Sequence, residues 1–179
     1  MVKSSIALAE LKGLASTLPN PSILLNAVVL KEARASSEIE NVITTQDKLY
    51  QALSAKGIEP DPSTKEVLRY REAMLYGTHF IKEKGFLSTN AIVSIQKILE
   101  KNNAGIRKLP GTALRNAATN KVIYTPPDDY NTILRLMKNL ENYLNEQDDI
   151  SPLIKMAIQH YQFESIHPFY DGNGRTGRI

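Results

Sequence analysis

The strongest constraint on this chain is its punctuation. Apolar residues recur at helical spacing between breaks made by Pro, Gly and Asn, and only across residues 109–127 does the period change. Residues 4–18 read as a first helix, stopped by Pro19-Asn20-Pro21, because proline donates no backbone hydrogen bond and restricts the residue before it. A second helix starts at Pro21 or Ser22 and runs to about Asn41. Its Leu24, Val28, Ala35 and Ile39 are expected to face inward, while Ser36, Ser37, Glu38 and Glu40 crowd its last turns. After Thr44-Thr45 a shorter helical run extends through Ala55 and ends at Lys56-Gly57. Asp61 or Ser63 caps a further helix that presents Val67, Tyr70, Met74 and Ile81 and closes at Lys84-Gly85. Ser88 or Thr89 caps the next, with Ile92, Ile95, Ile98 and Leu99 inward and Asn102-Asn103 at its end.

Within the exceptional segment, residues 113–116 and 122–125 flank a small polar turn, and Pro126-Pro127 stops the second arm, which is the pattern of a β-hairpin. Helical spacing resumes with Ile133, Met137, Leu140 and Leu144. It returns again after Ser151-Pro152 with Leu153, Met156, Ala157 and His160. No internal repeat interrupts the series, so the expected fold is all-α, about seven helices with an inserted β-hairpin.

Composition narrows the chemistry. The 179 residues include no cysteine, which excludes a thiol nucleophile, a cysteine-ligated zinc and disulfide staples. Three histidines remain, His79, His160 and His167, so an imidazole base must be one of these. His160 lies on its helix's apolar face and is expected to be a satisfied core residue; His79, beside Leu68 and Leu75, is expected to be half-exposed and structural. Lys and Arg total 22 against 19 Asp and Glu, a surplus that suits an anionic ligand but is too small to indicate nucleic acid. The first ten residues meet charge too soon for a signal-peptide core, and no apolar run is long enough to cross a bilayer. The expected setting is the cytoplasm, with no membrane partner.

Chemistry concentrates at the carboxyl end, in His167-Pro168-Phe169-Tyr170-Asp171-Gly172-Asn173-Gly174-Arg175-Thr176-Gly177-Arg178-Ile179. Gly172, Gly174 and Gly177 spell a dinucleotide fingerprint, but they follow an amphipathic helix rather than a buried strand, and no βαβ unit surrounds them. A Walker A loop fails as well, since no Lys-Ser or Lys-Thr follows the glycines. The residue types instead permit another phosphate cradle. Glycines let backbone N–H groups approach an anion, and a helix beginning near Gly174 adds the positive end of its dipole. Arg175 and Arg178, one turn apart, match phosphate oxygens; Asp171 offers a hard oxygen for Mg²⁺; His167 could accept the proton of an attacking hydroxyl.

This stretch resembles the signature of the Fic family, His-x-Phe-x-(Asp/Glu)-Gly-Asn-Gly-Arg-x-x-Arg, with every defining position matched between His167 and Arg178. The resemblance extends upstream. Residues 160–166 are similar to the usual lead-in, the arm Val122-Ile123-Tyr124-Thr125 is similar to the family's target-docking flap, and residues 18–21 and 32–41 resemble the amino-terminal region of members that carry their own inhibitory helix. The division this implies is a helical region over residues 1–60, with the inhibitory helix at about 22–41, and a Fic core over 61–179. Because the family fold continues for at least one more helix after the signature, the core is expected to be truncated at its carboxyl end.

The resemblance implies adenylyl transfer (AMPylation): a Ser, Thr or Tyr hydroxyl of a target protein docked at the flap attacks the α-phosphate of ATP, and pyrophosphate leaves. His167 would be the general base. Asp171 would position Mg²⁺, Gly172, Asn173 and Gly174 would form the anion hole, Arg175 and Arg178 would hold the β- and γ-phosphates, with Thr176 and Gly177 in the same ATP-binding stretch, and Phe169 would anchor the loop. Ser36, Glu40 and Asn41 fit the inhibitory pattern Ser/Thr-x-x-x-Glu-Gly/Asn, in which the glutamate pairs with the second arginine, here Arg178. Other readings on the same scaffold are a different nucleotidyl or phosphoryl transfer, removal of AMP with Glu40 orienting a water, or a non-catalytic nucleotide-binding module. A homo-oligomer that governs access of Glu40 to Arg178 is compatible with all of them.

Overall fold

The structure, a computed structural model, describes residues 2–54 and 59–179. Among them, eight helices and one two-stranded hairpin follow the order α1 (Val2–Ser16), α2 (Pro21–Ile39), α3 (Gln46–Ser54), α4 (Pro62–Lys84), α5 (Thr89–Glu100), β1 (Leu114–Arg115), β2 (Val122–Tyr124), α6 (Tyr130–Asn145), α7 (Pro152–Ile166) and α8 (Asn173–Arg178). This is the all-α architecture with one inserted hairpin. The end expected for α3 at Lys56-Gly57 lies outside the described residues.

Local chemistry sets most boundaries. Asp61 caps α4 by accepting from Thr64 N at 3.0 Å, Pro62 fills the first position, where no N–H is needed, and Gly85 takes φ +76° to end the helix. Ser88 accepts from Ala91 N at 3.1 Å on α5, and Asp129 from Thr132 N at 2.7 Å on α6. Where the period changes, Leu114 pairs with Tyr124 and Arg115 with Val122 in antiparallel register.

Two clusters make the core. In the first, Leu30 and Ala33 of α2 and Leu49 of α3 pack on Val67, Tyr70 and Ala73 of α4 and Ile95 and Leu99 of α5. In the second, Ile92, Ile106, Ile133, Met137 and Leu140 enclose Phe163, Ile166 and Phe169. The short α8 touches α2, α5 and α7, so the carboxyl-terminal residues lie where the clusters meet. No helix among the described residues is long and apolar enough to cross a membrane.

Two helices turn a different face inward from the one their apolar spacing indicates. On α2 the buried residues are Val29, Leu30, Ala33, Ser36 and Ser37, whereas Leu24, Val28, Ala35 and Ile39 are exposed. The reason is what α2 meets: its second half lies on α4 and on Arg178 of α8, so small and polar residues take the inner positions. On α7, Phe163 and Ile166 are buried while Met156, Ala157 and His160 are exposed. His160 is therefore not a core histidine; its Nδ1 instead meets the Gly177 carbonyl at 2.9 Å. On α4, Val67 and Tyr70 are buried as their spacing indicates, but Ile81 is exposed, and His79 is exposed beside Glu83. The helix α1 buries none of its residues.

Candidate active site

The carboxyl-terminal loop is built so that its backbone, more than its side chains, is fixed first. His167 ends α7 in the left-handed region at φ +50°, and Gly172 at φ +78° opens α8. Between them Asn173 braces the turn: its Oδ1 accepts from Phe169 N at 2.9 Å and its Nδ2 donates to Phe169 O at 2.8 Å. Asn173 is itself buried, so its amide serves the turn. Phe169 is fully buried against Phe163, as an anchor must be. Gln96, also buried, donates to the Asp171 carbonyl at 3.2 Å.

A polar cavity of about 220 Å³ opens beside this loop, lined by Glu40, His167, Tyr170 and Asp171 together with Gly172 to Arg175. His167 presents one edge of its ring there. Nδ1 is shielded from solvent and lacks a partner in good hydrogen-bond geometry, which leaves Nε2 as the nitrogen able to meet a ligand. Burial, and after it the Arg107 guanidinium, hold the imidazole below its ordinary value; the Glu164 backbone pulls the other way more weakly. The ring is thus kept neutral and able to accept a proton at neutral pH. Asp171 uses Oδ1 to accept from Gly172 N at 2.7 Å and lies exposed at the cavity rim.

The two signature arginines diverge. Arg175 is buried and paired with Glu66 of α4 and with Glu100 of α5, the latter at 2.7 Å. Arg178 turns to α2, where Nε donates to Ser36 Oγ at 2.6 Å and Nη2 donates to Ser36 O at 3.2 Å and to Glu40 Oε1 at 2.8 Å. Gly174 lies directly beneath that pair, for a Cβ there would come within 2.9 Å of Glu40 Oε1. Asn41 does not touch the cavity. At φ +62° it closes α2, with Asn41 N donating to Glu38 O and Val42 N to Ser37 O, each at 3.0 Å. That double closure is the Schellman arrangement, which requires a residue tolerant of the left-handed region and ends the helix with Glu40 facing Arg178.

Thr176 and Gly177 lie on the other side of α8, lining an apolar cavity with Phe163, Ile92 and Ile95, so the structure does not bring them to the polar cavity. The hairpin does approach. Val122, Ile123, Tyr124 and Thr125 are exposed, and Tyr124 OH donates to Ser165 O at 2.9 Å, which ties β2 to the last turn of α7.

Several contributors carry no local signature. Glu66, Gln96, Glu100 and Arg107 all reach the loop from distant segments, and an isolated carboxylate or amide on a helix has no spacing that announces a partner. Burial raises the Glu100 carboxyl above its ordinary value despite the Arg175 guanidinium. Tyr170 OH accepts from Lys108 N at 2.8 Å and Leu109 N at 3.0 Å, which hold its phenol below the usual value.

Residues 86–179 match the sequence profile of the Fic/DOC family, and residues 1–79 match that of the Fic/DOC family N-terminal region. The chain is 43% identical over 56 residues to a probable protein adenylyltransferase of Aquifex aeolicus, which covers 31% of this chain and 17% of that protein. It is 39% identical over 49 residues to protein adenylyltransferase fic-1 of Caenorhabditis elegans, 26% of this chain and 10% of that one. These stretches are a minor part of either relative. A solved structure of a Fic family protein from Desulfovibrio desulfuricans superposes with a TM-score of 0.72 at 21% identity, over 99% of this chain and 54% of that one. Residues 134–508 of Caenorhabditis elegans Fic-1 give 0.70 at 18% identity, over 98% and 56%. At such identities these two likenesses speak for the fold.

Proposed function

This chain belongs to the Fic/DOC family, and from that premise we propose that it is a protein adenylyltransferase, held inactive by the contact of Glu40 with Arg178. In this reading a hydroxyl of a target protein lies along the exposed arm from Val122 to Thr125, next to the His167 ring. His167 Nε2 takes the hydroxyl proton as the oxygen attacks the α-phosphorus of ATP. A phosphorus–oxygen bond forms to the target, the bond to the β-phosphate oxygen breaks, and pyrophosphate leaves. Positioning and charge stabilisation carry such a step, with no covalent enzyme intermediate required. The loop backbone from Gly172 to Gly174 approaches the phosphates, and the glycines keep that approach open.

Asp171 suits Mg²⁺: it is an exposed carboxylate lining the polar cavity, and Mg²⁺ is ordinarily held by one or two carboxylates plus phosphate oxygens. When bound, the ion would neutralise phosphate charge. Arg175 is already neutralised by Glu66 and Glu100, so its part is to fix α8; Arg178, once released by Ser36 and Glu40, is the guanidinium free to grip the terminal phosphate. In the same reading residues 1–60 are the regulatory region and 61–179 the catalytic core, and an ATP-dependent protein modifier without cysteines suits the cytoplasm.

The single observation that carries this reading is the clasp on Arg178, because a carboxylate in the place a phosphate should take is an inhibitor by charge and by geometry. The pair is partly exposed, with side-chain accessibilities of 23% and 42%, so it is releasable. Glu40→Gly should raise incorporation of α-labelled AMP into protein under Mg²⁺-ATP by about tenfold, the size of an ordinary coupling between sites. Equal labelling by mutant and wild type would remove the autoinhibition claim, and labelling unaffected by His167→Ala would remove the assigned base.

A further inference from the structure

Arg107 is among the largest fully buried side chains of the described residues, and neither the signature nor the inhibitory pattern includes it. Its guanidinium has no exposed surface. It donates from Nε to His167 O at 2.8 Å and from Nη2 to Ile166 O at 3.5 Å and to Pro127 O, while Nη1 meets Asp128 Oδ1 at 3.5 Å. Its own backbone N donates to Pro168 O at 2.9 Å. The acceptors belong to two segments. His167, Ile166 and Pro168 form the turn that carries the imidazole. Pro127 and Asp128 form the root of the hairpin, and Asp128 also accepts from Gly111 N at the hairpin's other root, with both oxygens at 3.3 Å.

A buried charge with a single carboxylate partner at long range is costly, and an apolar side chain of similar volume commonly serves packing as well or better. What an apolar side chain lacks is a planar fork of donors that fixes several carbonyls at once. That fixing matters here because His167 is a non-glycine residue in the left-handed region, a conformation that the surroundings must hold. We propose that Arg107 is a positioning residue. It sets the direction of the His167 ring by pinning that residue's carbonyl, and it ties the same turn to the hairpin root, so that the base and the strand offering the hydroxyl share one anchor. The inference rests on the reading of His167 as general base and of the hairpin as the target-docking flap.

Arg107 touches no reacting atom, so its removal should lower turnover and leave nucleotide affinity alone. In the Glu40→Gly background, Arg107→Lys should reduce kcat for self-labelling with Mg²⁺-ATP at least tenfold, with KM for ATP within about twofold. A readout independent of activity comes from the histidine scarcity: the chain has three imidazoles, so three Hε1 resonances, and that of His167 is identified by its loss in His167→Ala. Arg107→Lys should move or split the His167 resonance while those of His79 and His160 stay in place. Asp128→Asn, at a half-exposed carboxylate whose change the fold should tolerate, cuts the hairpin side of the anchor and should disturb the His167 resonance in the same sense by a smaller amount. The proposal is overturned if both variants leave the His167 resonance where it is, or if kcat falls only in proportion to the folded fraction measured by thermal melting. Should Arg107→Lys not fold, the Asp128→Asn result alone decides, an unmoved resonance counting against the shared anchor. If Glu40→Gly labels nothing, the adenylyltransferase reading fails, while the resonances still decide whether Arg107 orients the ring.

Discussion

Arg175 and Arg178 stand one turn apart on the same short helix, yet they belong to different parts of the machine. Arg175 is 6% exposed and lies between two carboxylates that come from the long helices α4 and α5. Arg178 faces the end of α2, where one carboxylate and one serine hold it at the margin of the cavity. The difference teaches what separates a structural ion pair from a switch. Both are guanidinium–carboxylate contacts, but the first is almost buried and shared between two carboxylates, whereas the second is partly exposed and rests on one carboxylate and a serine.

The comparison can be broken most severely at Glu100. Removing Glu100 leaves the buried Arg175 guanidinium with Glu66 as its remaining carboxylate, so Glu100→Ala should cost about 2 kcal/mol of folding stability, the worth of a buried hydrogen bond to a charged group. Glu40→Ala, at the exposed pair, should cost less than about 1 kcal/mol. Thermal melting of the two variants side by side checks this, and equal losses would erase the distinction. A smaller effect is expected at Ser36, whose hydroxyl accepts from Arg178 Nε. Ser36→Ala should loosen the clasp by one charge-assisted bond and raise AMP labelling about threefold, less than loss of the Glu40 carboxylate does. The smallest expected difference is in pH dependence. Burial, then Arg107, keep His167 below the ordinary 6.5, so its neutral form, the one that accepts a proton, persists as pH falls through that value. Transfer should stay level down to pH 6.5 and decline only beneath it. Since Glu40 is not among the groups that shift His167, the acid limbs of wild type and Glu40→Gly should coincide even though their amplitudes differ.

The same contrast explains how much the sequence discloses. The carboxyl-terminal loop is legible because its chemistry is contiguous: glycine, asparagine and histidine occupy the left-handed and bracing positions within a few residues of one another. The helix caps at Asp61 and Ser88, and the hairpin, are legible for the same reason, since their partners lie close in sequence. The facing of α2 is not. Its inner positions Ala33, Ser36 and Ser37 are small or polar because they meet Arg178 and α4, and a hydrophobic stripe drawn on that helix points the wrong way. Likewise Glu66 meets Arg175 across 109 residues, Glu100 across 75, and Arg107 meets His167 across 60. Single polar residues so far apart carry no spacing to read. Ser36 and Glu40 are the instructive middle case: their spacing on one helix face is visible locally, while the guanidinium that gives it meaning lies at the other end of the chain.

The most direct test of the account is the pairing of Glu40 with Arg178 as a functional unit. Incorporation of α-labelled AMP should be measured for wild type, Glu40→Gly, Arg178→Ala and the double variant under the same Mg²⁺-ATP. Glu40→Gly should label about tenfold more than wild type, and adding Arg178→Ala should return labelling to wild-type level or below. A double variant that labels as strongly as Glu40→Gly alone would show that freeing Arg178 is not what relieves the inhibition.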